Sequence, residues 1–75
     1  MIVTTESGAI YEFEGMKMRR NGIATLRMDG EWLNMLAVVE PVEGRGMHLI
    51  LEPLSDEAIR TERFTTPVVK IVVDN

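Results

Sequence analysis

The chain has 75 residues, no cysteine, one histidine and a formal net charge of -4. This excludes disulfides and cysteine-ligated zinc, leaves little for any other transition-metal site, and argues against general nucleic-acid affinity, which needs a positive face. One domain over residues 1–75, a complete small reading frame, is expected.

A domain this short rarely draws more than roughly 3–5 kcal/mol from its core, so oligomerisation is the staple that remains. The first six residues lack the basic region and apolar block of a secretory signal, and the longest apolar run, residues 35–39, is far too short to cross a membrane. With no cysteine, the expected location is the cytoplasm.

Ile2-Val3-Thr4-Thr5 is β-branched throughout and reads as a first strand, turning at Glu6-Ser7-Gly8. Ala9, Tyr11 and Phe13 then alternate with Ile10, Glu12 and Glu14, which places both aromatic rings on one face of a second strand. Gly15 permits a reversal into a third strand in which Met16 and Met18 share a face. Asn21-Gly22 is the strongest two-residue hairpin signal, leading to a strand over 23–28, and Asp29-Gly30 is a second signal of the same class. Residues 31–40 carry apolar side chains on both sides, which fits a strand buried on both faces or a helical segment, and Val38-Val39 with the downstream Pro41 favours the strand.

After the turn at 41–46, Met47, Leu49 and Leu51 form the inner face of another strand, closed by Pro53. Ser55 with Asp56 and Glu57 supports at most one short helical turn near residues 55–60. Residues 65–73 are nearly all β-branched and read as a well-buried last strand. The fold class is all-β: a small antiparallel barrel or roll of six to seven short strands in a meander.

In that order the chain shows Thr5-Glu6-Ser7-Gly8-Ala9-Ile10-Tyr11-Glu12, then Arg19-Arg20, then Thr25-Leu26-Arg27-Met28-Asp29-Gly30-Glu31-Trp32, and finally Thr65-Thr66-Pro67-Val68. The pattern resembles a group of small proteins of actinobacteria and their bacteriophages that has no assigned activity. The connection from Arg20 to Asp29 is shorter here than in that group, and residues 53–64 have no counterpart. The resemblance implies a phage or actinobacterial origin and carries over no functional residue.

Trp32 reads as a core plug beside Tyr11 and Phe13, or else as an exposed anchor for a partner. Lys17, Arg19, Arg20 and Arg27 could form a basic stripe, but no aromatic side chain interleaves with them, and pairing with Glu12, Glu14 and Glu31 explains them better. His48 faces outward and has no second imidazole or thiolate to make a metal site. Six methionines exceed what so small a core wants, and methionine suits adaptable contact surfaces. Met16, Met18, Met28 and Met35, with Val69 and Ile71, are therefore the candidate interaction surface. No catalytic, cofactor or metal residue is assigned. The reading is a non-enzymatic interaction module acting as a homo-oligomer on a host or phage protein, an accessory factor of a host process or defence. A virion assembly component is the alternative, and a nucleic-acid-binding barrel the third reading; no membrane partner is expected.

Overall fold

The computed structural model describes residues 1–73; the last two residues of the expected domain lie outside the described residues. All regular structure in it is extended, and no helix forms. The strands are β1 (Ile2–Thr5), β2 (Ile10–Glu14), β3 (Lys17–Asn21), β4 (Leu33–Asn34), β5 (Gly46–Leu51) and β6 (Thr61–Val72). They form one antiparallel sheet in the order β4-β3-β2-β1-β6-β5. The sheet curls into a half-barrel whose two edges touch once, at the Met35–Leu51 bridge. There Leu36 N–H donates to Ile50 O at 2.8 Å and Glu52 N–H to Asn34 O at 3.0 Å.

The period of two decides which side chains enter the curl. Val3, Tyr11, Phe13, Met18, Leu33, Met35, Met47, Leu49, Leu51 and Val68 make the core, and Val39, Leu54 and Ile71 pack against its margin. Tyr11 and Phe13 stack with ring centroids 6.4 Å apart, as their shared face requires.

Glu14 pairs with Lys17, so the tight two-residue turn is Gly15-Met16, and Gly15 takes φ +58°. Glycine at the first central position is the requirement of a type II′ turn. Met16 is thus a turn residue, exposed for that reason. Asn21-Gly22 does not turn a hairpin, residues 23–28 form no strand, and the strand expected over 31–40 shrinks to the two residues of β4. From Leu33 onward, residues 33, 35, 37 and 39 turn inward while Leu36 and Val38 stay exposed, so this stretch is buried on one face only.

β6 is longer than expected and mostly exposed, with Val68 its one fully buried residue. The strand serves two neighbours, β5 with its first half and β1 with its second. The register slips twice, near Pro67 and at Val69. Each bulge bends the strand and breaks its alternation. Val69 is the extra residue of the second bulge and faces out, which corrects its placement on a buried strand. Pro67, with no N–H to offer, sits at the first. There Met47 N–H donates instead to Thr65 Oγ1 at 2.7 Å.

Gly46 faces this first bulge so closely that a Cβ would collide with the backbone carbonyl of Thr65. Gly46→Ala is therefore expected to cost about 1–3 kcal/mol, because only a backbone shift relieves the clash. Urea denaturation of the purified variant measures it. Residues 53–60 carry one turn, closed by Ala58 N–H to Ser55 O at 3.2 Å, rather than a helical turn.

Candidate docking loop

Residues 22–32 join β3 to β4 without forming a strand. What replaces the expected ladder is a polar anchor. Arg20 follows Met18 on the inner face, and its guanidinium pairs with Asp29 where both side chains are about nine-tenths buried, at 8% and 11% exposure. Arg20 Nη1 also donates to Ala24 O at 3.1 Å, and Gly30 N–H donates to Arg20 O at 2.9 Å.

Asp29 in turn accepts Leu26 N–H at 2.9 Å while its own N–H donates to Leu26 O at 3.2 Å, a reciprocal closure like a capping box. A second turn follows, Glu31 N–H to Met28 O at 3.2 Å. Both turns place a positive φ at their third residue, Met28 at +65° and Gly30 at +83°. Type II turns demand this, and glycine is the residue that normally supplies it. Met28 is the one non-glycine residue with positive φ among those described, a conformation that costs an L-residue about 1–2 kcal/mol. From the far wall of the curl, Arg63 on β6 reaches Arg27 O at 2.6 Å.

A loop fixed by buried polar groups has no need to bury its apolar ones. Ile23, Leu26, Met28 and Trp32 all remain exposed. Trp32 is 39% exposed, so it is not the core plug, and its neighbours explain the difference. The indole lies over the outer face of β3, with the Arg19 guanidinium 4.6 Å from its ring centroid. Arg19 is held by Glu12 through two bonds, Nη2–Oε2 at 2.8 Å and Nε–Oε1 at 3.3 Å. The cation–π contact is worth about 0.5–1 kcal/mol at such a site. It holds the indole in place without burying it.

The methionine set divides. Met16 and Met28 are exposed, whereas Met18 and Met35 belong to the core, since Met18 takes an inward position of β3 and Met35 continues the inward alternation that Leu33 begins in β4. Ile71 is half-buried against Val3 rather than displayed. Arg20, turned inward, removes itself from any basic stripe, and Arg19 is consumed by Glu12 and Trp32. His48 faces outward as expected, with Nε2 2.9 Å from Glu62 and its ring stacked on Phe64 at 4.3 Å. Among the described residues no group of three or more His, Cys, Asp or Glu side chains gathers to hold a metal ion, and no helix is long and apolar enough to cross a membrane.

Ile23, Leu26 and Phe64 were not legible as surface groups, because alternation alone reads Ile23 and Leu26 as strand positions. Thr61 to Thr66, however, carries the β-branched and aromatic content that would have extended the last strand back to Phe64. No protein-family model, curated protein or solved structure matches the chain.

Proposed function

We propose that the protein is a non-enzymatic protein–protein interaction module that docks a partner protein on residues 22–32 and acts as an oligomer. One observation carries the reading: four large apolar side chains are held outward by a loop whose polar groups are anchored inward. Binding residues commonly sit on loops positioned by a rigid scaffold. A positive φ at Met28 fits a loop shaped for contact at some cost in stability. The likeness to actinobacterial and phage proteins supports a host or phage protein as the partner, and an accessory role in a host process or defence.

Trp32→Ala is expected to keep the fold within about 1 kcal/mol, since the indole leaves no hole in the core. It should weaken partner capture from actinobacterial lysate by about 30-fold or more, as truncating an interface anchor does. Met28→Gly relieves the backbone strain, so its stability holds or rises while capture falls. Capture that survives both substitutions, or a protein unfolded by Trp32→Ala, contradicts the reading.

A further inference from the structure

We infer that the oligomer is a two-fold dimer built on the β5–β6 corner, where each copy inserts Phe64 into a cleft of the other. This rests on the oligomeric half of the reading above and uses none of the docking-loop residues. Phe64 is 77% exposed although it lies mid-strand, because the alternation of β6 throws it out beside His48, on which it stacks. Next to this ridge is a hollow. Beyond Leu36 the chain peels away from β5 and leaves a cleft of about 240 Å³, walled by Val38, Val39, Val42, Met47 and His48. A cavity of about 150 Å³ already holds benzene, so a phenyl ring fits.

His48 belongs to both features, touching Phe64 and lining the cleft. Ridge and hollow side by side on one surface are self-complementary under a two-fold axis, which presents each to the other twice. The charges agree. Glu40 and Arg45 line the same cleft, and neither makes an ion pair among the described residues. Across a two-fold axis, Glu40 of one copy can meet Arg45 of the other, again twice. A second copy therefore covers the exposed ring, fills the hollow and pairs both charges that line it. The exposure of Val38, 74%, and of Val42 has the same explanation.

Charge reversal tests the arrangement by sedimentation equilibrium of the full chain. The wild type is expected to dimerise. Glu40→Arg alone and Arg45→Glu alone each create two like-charge pairs, and self-association is expected to weaken on the order of 100-fold. Mixing the two variants restores both pairs, so a heterodimer of near wild-type affinity forms. Phe64→Ser, at a position too exposed to matter for folding, weakens dimerisation about 10-fold or more. A wild type that stays monomeric at millimolar concentration, single reversals without effect, or a mixture that fails to associate overturns the inference. A monomeric wild type also removes the oligomeric half of the reading above, whereas ineffective reversals or a mixture that fails to associate overturn this dimer alone. Lysate capture by the docking loop is untouched in every case.

Discussion

Asp29→Ala is expected to lower stability by about 3–5 kcal/mol, the range for removing one partner of a buried ion pair. For a 75-residue domain that approaches the whole of its stability. The loss has two parts. Arg20 keeps its charge in a site where its side chain is only 8% exposed, and no other carboxylate pairs with it among the described residues. Leu26 N–H also loses the acceptor that closes the loop. Because the larger part is the stranded charge, Arg20→Met combined with Asp29→Ala should recover a good share of it, making the double variant more stable than the single one. Guanidinium denaturation of the three proteins measures this. A single variant as stable as the wild type would mean that the pair does not organise the loop.

Leu51→Ala is expected to cost about 2–5 kcal/mol, the range for emptying a buried leucine site. Leu51 is fully buried, and its backbone forms the one bridge by which the sheet's edges meet. The site cannot collapse easily, since Met35 faces it from the opposite edge and is held by Met35 N–H to Met16 O at 2.7 Å. The cost therefore belongs in the upper half of the range. Thermal unfolding shows it, and a variant losing less than about 1 kcal/mol would mean the edges are not packed together.

The all-β curl was legible because the alternation of Val3, Tyr11, Phe13, Met47, Leu49 and Leu51 is strict and one-sided. Where the sequence misled, a side chain had outcompeted a local rule. Asn21-Gly22 has the composition of a hairpin turn, yet the Arg20 guanidinium occupies the space beside Gly22 and reaches on to Ala24 and Asp29. The backbone of 23–28 is thereby drawn into turns. That pairing joins residues nine apart and has no periodicity to betray it. Asp29-Gly30, likewise, serves a loop turn instead of a strand register.

The last strand misled for another reason: β-branched runs report extended backbone but not which side is buried, and two bulges in β6 reset the faces. Of the candidate surface residues, Met16, Met28 and Val69 are exposed, while Met18 and Met35 were drawn inward by the alternation that places them. Trp32 was ambiguous in sequence because size argues for the core and position for the surface. The Arg19–Glu12 pair beneath it supports the surface.

Residues 22–32 form a pre-set loop rather than a free one, and amide hydrogen exchange reads this at two positions. Leu26 N–H is bonded to Asp29 and Gly30 N–H to Arg20, both at 2.9 Å. Both amides are predicted to exchange at least about 100-fold more slowly than an unstructured chain, as amides freed only by costly opening do. Exchange of Leu26 and Gly30 at the rate of an unstructured chain, in an otherwise protected sheet, would contradict the account.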